Sequence, residues 1–319
     1  MPGEEDVLLR VRYVGLCGSD LATFGGSNPL VDYPRIPGHE VSATIEHVGS
    51  RVPSSLRVGM NVTVIPWRAC GACSACVLGR PNACRELQVL GVQCDGALTE
   101  RIVVHHSRII STTTLSLEAL PFVEPLSIGC HAVERGRVAA SETVIVLGCG
   151  GIGSGVVAAA VARGARVIAV EIADDKLALA HSLGAVAAIN ATREDVAARV
   201  FQLTGGHGAD VAIEAVGIPE TFRQAIGLVA CAGRVVYIGY CKEQVNYETR
   251  LFVSKELDIL GTRNSLPKDY ETACGLLNEG HYSPAAMTTR MFSLAEAADA
   301  LGFWHSHRSQ VRKLLIRVS

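Results

Sequence analysis

The chain lacks a surplus of either charge. Its 29 Lys and Arg nearly balance 31 Asp and Glu, for a formal net charge of −2. No long basic run occurs, which argues against a nucleic-acid partner. A long hydrophobic run is missing too: the longest, around Val156–Ala162, ends at Arg163, far short of a membrane span. The first residues, Met1-Pro-Gly-Glu-Glu-Asp6, are acidic and polar, unlike a secretory leader. No tandem repeat or low-complexity segment is evident. These absences predict a soluble, cytoplasmic protein with neither a nucleic-acid nor a membrane partner. At 319 residues it has room for a large core divided between two domains.

Cysteine, by contrast, is plentiful, with eleven residues. Four of them, Cys70, Cys73, Cys76 and Cys84, fall at gaps of three, three and eight. Soft thiolates at that spacing suit a tetrahedral zinc ion, and Gly71, Gly79 and Pro81 let the backbone fold tightly around it. A closed four-sulfur site leaves no position for a substrate, so it is expected to be structural. In a chain of this length without an export signal, the cluster points to a reducing compartment rather than a disulfide framework. Cys94, Cys130, Cys149, Cys231, Cys241 and Cys274 lie among apolar or small neighbours and are expected to be buried, inert thiols.

Two rhythms divide the chain. Up to about residue 120 it reads as short strands (Val7–Val14, Val41–Val48, Val62–Ile65, Thr99–Val104) punctuated by Gly and Pro, which suggests a partly open barrel. From about residue 141 strands and helices alternate: strands at Thr143–Leu147, Arg166–Val170, Val186–Ile189, Asp210–Ala215 and Arg234–Ile238, helices at Ile152–Arg163, Asp174–Leu183, Thr192–Leu203 and Pro219–Ala230. Alternation of this kind implies a parallel, doubly wound sheet. The tail returns to helices near Tyr270–Glu279 and Leu294–Leu301 and a last strand at Val311–Val318.

Between the first strand and helix of the second half sits Gly148-Cys-Gly150-Gly151-Ile152-Gly153. The glycines permit a tight turn and close approach of a pyrophosphate, and the helix N-terminus offers free N–H groups. Glu171 ends the next strand 18 residues past Gly153, where a carboxylate accepts the ribose hydroxyls. It would also repel the 2′-phosphate of NADP, and Ile172-Ala173-Asp174-Asp175 supplies no arginine to bind one, so NAD is the expected cofactor. Lys176 is within reach of the same ribose.

A second donor set is open. Cys17 lies in Cys-Gly-Ser-Asp after a strand, and His39-Glu40 follows Pro37-Gly38. Together they offer a thiolate, an imidazole and a carboxylate on loops of the barrel. Glu124 is a carboxylate in the apolar segment Val123-Glu-Pro-Leu-Ser-Ile-Gly-Cys-His131, where a buried charge needs a partner such as a metal ion.

In combination these motifs, with Leu90-Gly-Val-Gln-Cys-Asp-Gly-Ala97 and Gly261-Thr-Arg-Asn-Ser265, resemble the zinc-dependent medium-chain dehydrogenases of the alcohol dehydrogenase superfamily. Within it the chain is similar to the sorbitol, threonine and sugar-acid (galactonate, gulonate) branch. The resemblance implies an α/β protein. A GroES-like, partly open β barrel would be built from 1–123 and completed by 265–319. A Rossmann domain would span 124–264, with the active site in the cleft. It implies two zinc ions per chain, one structural and one catalytic. The catalytic ion would be held by Cys17, His39 and Glu40 and completed by water or Glu124. NAD would be bound by Gly148, Gly150, Gly151, Ile152, Gly153, Glu171, Lys176, Val216 and Arg263. Cys130 and His131 are expected to pack rather than ligate. A homodimer or homotetramer is the family's habit.

The implied reaction is hydride transfer from a secondary alcohol to NAD+, with zinc stabilising the alkoxide. Ser19 would pass the alcohol proton outward, and Asp20 would orient His39. The chain departs from its relatives at Ala22, where many carry the histidine that finishes the proton relay. The relay then ends through the cofactor ribose and water, or through Glu40 or Glu124. Relatives also open with a further strand pair before the segment that here begins at Glu5, and loss of such a pair is expected to expose barrel backbone groups.

Arg263 could fork onto a sugar-acid carboxylate or hydrogen-bond a polyol, and Phe24, Tyr33, Trp67 and Arg101 are further pocket candidates. Two other classes compete. An enone or quinone reductase shares the fold but does not need Cys17, His39 and Glu40 together. A catalytically inactive NAD-binding structural or regulatory relative would be free to lose them.

Overall fold

The computed structural model describes residues 2–319. They form two compact units: the segment up to Pro125 with Leu266–Ser319, and Leu126–Ser265. The first unit thus takes Glu124 with it, while the helix that carries Glu124 begins in one unit and ends in the other.

The first unit opens with β1 (Asp6–Leu16), α1 (Gly18–Phe24), β2 (Glu40–Val48), β3 (Asn61–Val64), β4 (Trp67–Arg68), α2 (Ser74–Val77), β5 (Gln88–Val89), β6 (Arg101–His105), β7 (Ile109–Ser111) and the first three residues of α3 (Val123–Arg135). Strand β1 is the hub of its sheet. Along one edge it pairs antiparallel with β2, and along the other with β6 through Asp6–Arg10. Val7, Leu9, Val11 and Val14 are buried against Val41, Ala43, Ile45, Val62 and Val64, which closes the barrel core.

The second unit continues with β8 (Thr143–Leu147), α4 (Gly151–Ala162), β9 (Arg166–Glu171), α5 (Asp174–Ser182), β10 (Ala187–Asn190), α6 (Val196–Leu203), β11 (Ala209–Glu214), α7 (Pro219–Leu228), β12 (Val229–Tyr237), α8 (Arg250–Ser254) and β13 (Asp258–Gly261). Its six strands run in the order β10-β9-β8-β11-β12-β13, all parallel. Val144, Ile145, Val146 and Leu147 are all buried, as a strand covered on both faces requires. The order reverses between β9-β8 and β8-β11, so β8 borders the switch point at which such sheets bind ligands.

The chain returns to the first unit with α9 (Pro267–Asn278), α10 (Pro284–Met287), β14 (Thr288–Ser293), α11 (Ala297–Ser306) and β15 (Lys313–Arg317). Strand β15 pairs with Tyr13–Leu16 of β1, so the tail completes the barrel sheet.

Boundaries differ from expectation where side chains intervene. Helix α6 starts at Val196 because the Asn190 side chain accepts from the Thr192 N–H and hydroxyl and holds a turn, and Asp195 then caps the Ala198 N–H at 3.0 Å. Helix α7 stops at Leu228 because the Lys255 ammonium donates to the carbonyls of Ile226, Gly227 and Val229. No helix among the described residues is long and apolar enough to cross a membrane.

Candidate metal and dinucleotide sites

Cys17 follows the last residue of β1 and occupies the N-cap of α1. Its N–H donates to Asp20 Oδ2 at 2.8 Å, and Asp20 Oδ1 accepts the Gly38 N–H at 3.0 Å. One buried carboxylate therefore ties the turn carrying Cys17 to the turn carrying His39. Gly38 has φ +100°, and a Cβ there would come 2.9 Å from Val14 Cγ1 and 3.1 Å from the Leu98 nitrogen, so the second turn requires glycine. His39 Nδ1 stands 3.7 Å from Asp20 Oδ1, an ion-pair distance too long for a hydrogen bond. Asp20 acts on His39 through the loop and through its charge.

Glu40 opens β2 opposite Gly15 of β1. Its two carboxylate oxygens accept from Lys313 Nζ at 2.5 and 2.7 Å, and the same ammonium donates to Leu16 O at 3.2 Å. A Cβ on Gly15 would lie 2.1 Å from Glu40 Oε2, so only glycine leaves room for this carboxylate. Lys313 escaped the sequence reading. A lone lysine heading the apolar run Leu314-Leu-Ile316 gives no sign that it points inward.

One donor atom each from Cys17, His39 and Glu40 lies within 4.8 Å of the others. Glu124, buried at the start of α3, stands outside that set but within its field. Burial raises its carboxyl to about 7, with His39 opposing and Glu40 reinforcing the shift. His39 shows the reverse balance: burial alone would lower its pKa, but the charges of Asp20, Cys17 and Glu124 hold it well above the ordinary value. His39 Nδ1 is buried with no hydrogen-bond partner among the described residues, and thiolate, imidazole and carboxylate are zinc donors. The residues fit a metal. Ser19 is half-buried, and its carbonyl accepts from Thr23 Oγ1. Cys130 and His131 are buried in α3.

The four-cysteine lobe is built from very short elements. Positive φ at Gly71 (77°) and Gly79 (72°) turns the chain on either side of α2. Sulfur–sulfur distances are 3.5 Å for Cys73–Cys76, 3.8 Å for Cys73–Cys84 and 3.5 Å for Cys70–Cys84. A tetrahedron with about 2.3 Å metal–sulfur bonds has edges of about 3.8 Å. Backbone N–H groups of Arg85 and Cys76 pull the Cys73 thiol down to about 6. Desolvation, then the Cys73 sulfur, pushes Cys76 up to about 12. The sulfurs cannot all ionise without a cation between them.

All eleven cysteines are free. Of the six expected to be buried, Cys130 and Cys149 are; Cys94, Cys241 and Cys274 are half-buried and Cys231 is exposed. Cys231 lies on the irregular start of β12, next to Ala232 with φ 56°, where the strand slips register and no layer covers it.

In the second unit the glycine loop joins β8 to α4. A Cβ on Gly153 would sit 1.8 Å from Gly148 O, and one on Gly148, at φ +88°, would sit 2.5 Å from Val216 Cγ2. At Gly150, the N-cap of α4, a Cβ would meet nothing within 4 Å. That open backbone at a helix N-terminus is the cradle a pyrophosphate needs. Glu171, ending β9, accepts the Cys149 N–H at 3.0 Å through Oε2 and the Ile172 N–H at 2.8 Å through Oε1. Each oxygen keeps a second acceptor position for a ribose hydroxyl. Val216 follows β11 and is 46 % exposed; Lys176 is half-buried on α5; Arg263 is exposed beyond β13. Phe24 and Tyr33 are exposed, Trp67 is buried, and Arg101 is taken up by Glu46, with Arg101 Nε 2.7 Å from Glu46 Oε2.

Two family models match the chain. Residues 3–114 match the alcohol dehydrogenase GroES-like domain, and residues 151–279 match the zinc-binding dehydrogenase domain. An L-galactonate-5-dehydrogenase of Escherichia coli K12 is 32 % identical over 94 % of this chain and 88 % of its own. A sorbitol dehydrogenase of Bacillus subtilis is 31 % identical over 98 % and 90 %. Among solved structures, a zinc-binding dehydrogenase of Sinorhizobium meliloti with NADP superposes with TM-score 0.91 at 31 % identity, covering 99 % and 93 %. An alcohol dehydrogenase of E. coli CFT073 with NADH does so with TM-score 0.91 at 29 % identity, covering 99 % and 93 %. With a four-cysteine zinc site, a Cys/His/Glu zinc site and a six-stranded Rossmann sheet, the chain belongs to the zinc-binding medium-chain alcohol dehydrogenase superfamily, close to its sorbitol, threonine and galactonate dehydrogenases.

Proposed function

We propose that this chain is an NAD-dependent dehydrogenase that oxidises a secondary alcohol of a sugar acid or polyol to a ketone. The observation that carries it is the convergence of Cys17, His39 and Glu40 within 4.8 Å. In this reading the barrel unit holds the catalytic zinc through those three residues, with water or Glu124 completing the set, and Cys70, Cys73, Cys76 and Cys84 hold a structural zinc. The Rossmann unit binds the dinucleotide through Gly148, Gly150, Gly151, Ile152, Gly153, Glu171, Lys176 and Val216. The bound groups supply Lewis-acid polarisation of the substrate hydroxyl and a hydride acceptor. Ser19 accepts the hydroxyl proton, and Asp20 keeps the two ligand loops together. Lys313 holds the Glu40 carboxylate in place.

Relatives bind either NADP or NADH. The choice of NAD rests on Glu171, whose charge repels a 2′-phosphate, and on Asp174 and Asp175 behind it. Arg263 recognises the substrate carboxylate when the substrate is a sugar acid. The same reading makes the protein a cytoplasmic homodimer or homotetramer, which light scattering checks.

The test is dinucleotide reduction by purified, zinc-replete protein against aldonates, polyols, L-threonine and simple secondary alcohols, with NAD+ and NADP+ in parallel. Turnover confined to aldonates or polyols with NAD+ supports the reading. Turnover only with enones or quinones, or retained after the zinc is stripped, overturns it.

A further inference from the structure

Glu214, the last residue of β11, is a fully buried carboxylate that no step above uses. Its Oε1 accepts three donors: the Val216 N–H at 2.8 Å, the Gly217 N–H at 2.7 Å and the Thr221 hydroxyl at 2.7 Å. Its Oε2 is buried with no hydrogen-bond partner among the described residues. No Lys, Arg or His among those residues forms an ion pair with it. Leaving a buried carboxylate without a cation costs stability.

What the carboxylate organises lies at the carboxyl ends of three neighbouring parallel strands. Its three bonds curl the chain beyond β11 into a turn at Gly217, φ +89°, and anchor the first turn of α7 through Thr221. That turn sets Val216 against the first glycine of the cradle, where Val216 Cγ2 would be 2.5 Å from a Cβ on Gly148. On the other side, Gly217 faces the Tyr240 backbone, and a Cβ on Gly239 would come 2.5 Å from Glu214 Oε2. Glycine at 239 is what leaves Oε2 its space. The Glu214 carbonyl also accepts the Ile238 N–H at 2.9 Å, so the loops after β11 and β12 are tied to one residue.

We propose that Glu214 is a positioning residue for the dinucleotide: its Oε1 clamps the Ala215–Gly217 turn against Gly148, so the Val216 wall of the cradle is in place before NAD(H) arrives. This rests on the dinucleotide reading above. Preformed walls raise affinity by lowering the ordering cost on binding. The effect therefore falls on cofactor binding and not on the metal sites.

The experiment titrates NADH fluorescence on the full-length, zinc-loaded protein and on Glu214→Ala, Glu214→Gln and Thr221→Val. Zinc content, thermal melts, kcat and KM for NAD+ are measured alongside. Glu214→Ala loses all three bonds and is expected to raise the NADH dissociation constant by at least about tenfold, raising KM with kcat kept. Glu214→Gln keeps a carbonyl oxygen for the same donors and is expected to stay within about threefold, and Thr221→Val to fall between. Zinc content stays unchanged in each. If Glu214→Ala fails to fold, the graded pair Thr221→Val and Glu214→Gln carries the same comparison. Unchanged affinity in Glu214→Ala, or losses in affinity that track melting temperature equally in Glu214→Gln and Thr221→Val, overturn the proposal alone. An unsubstituted protein that binds neither NADH nor NADPH overturns it together with the dinucleotide reading.

Discussion

Lys313 Nζ bridges both carboxylate oxygens of Glu40, at 2.5 and 2.7 Å, with both side chains buried. The carboxylate offered to the metal thus already has a cation of its own, supplied by the last strand of the chain. The cost of burying Glu40 is met before zinc arrives.

Lys313→Met removes that cation and leaves Glu40 buried and unpaired. Breaking such a pair costs about 3–5 kcal/mol. We expect that loss in denaturant melts of the metal-free protein and a smaller one in the zinc-loaded protein, where zinc can take up the carboxylate. Equal losses would show that Glu40 does not share its charge with the metal.

Gly15→Ala tests the space that Glu40 occupies. The new Cβ would lie 2.1 Å from Oε2, so the carboxylate must move. Bound zinc, measured by elemental analysis, is expected to fall from two ions to one per chain, with the four-cysteine ion retained. Two ions retained with full activity would remove Glu40 from the ligand set.

The two metal sites should fail differently. Cys17→Ser is expected to abolish turnover with the fold intact, because the set it leaves sits on a barrel with its own core. Cys73→Ser is expected to destabilise the protein, because its lobe has only short elements around the four sulfurs. Circular dichroism melts alongside activity distinguish them, and equal loss of folding in both would sink the division into catalytic and structural zinc.

Stability of the metal-free protein should fall as pH rises from about 5.5 to 8. Glu124 is raised to about 7, so its contribution is fully present below the ordinary carboxylate range and is lost as pH rises through 7. From 4.5 to 7 the shift corresponds to about 3 kcal/mol. His39 is raised too, so its contribution is likewise fully present below the ordinary histidine pKa and lost as pH rises through its raised folded-state value. Bound zinc displaces the His39 proton, so the loaded protein should show a flatter profile and release protons on binding. Melting temperatures of both forms across that range decide it; a profile rising with pH would contradict the charge balance described above.

Burial, then Glu171, pushes the Cys149 thiol up to about 12, so it stays protonated at neutral pH although it stands in the glycine loop. With the four-cysteine lobe filled by zinc, a maleimide should label exposed Cys231 first and leave Cys149 untouched. Mass spectrometry of labelled peptides reads this directly, and early modification of Cys149 would show that the loop opens.

Much of this was legible along the chain. The four-cysteine spacing, Cys17, His39-Glu40 and the glycine loop each stand in short segments whose local chemistry is specific. Strand β8 falls on the residues its pattern predicts, because a strand buried on both faces writes a continuous apolar run. What failed turned on side-chain contacts that the apolar pattern does not carry. The end of α7 depends on Lys255, 27 residues beyond Leu228, and Asn190 delays α6 by a side-chain turn. Cys231 looked like a core thiol only because its neighbours are small.

The sequence by itself determined the two rhythms, the donor types and the glycine cradle, since each is set by residues within one turn or one strand of each other. Only the tertiary structure decided that Lys313 answers Glu40 across 273 residues, that Asp20 joins the Cys17 and Gly38 turns, and that Glu214 clamps Val216 beside Gly148. Buried charges choose partners by proximity in a low-dielectric interior, and that proximity is created by folding.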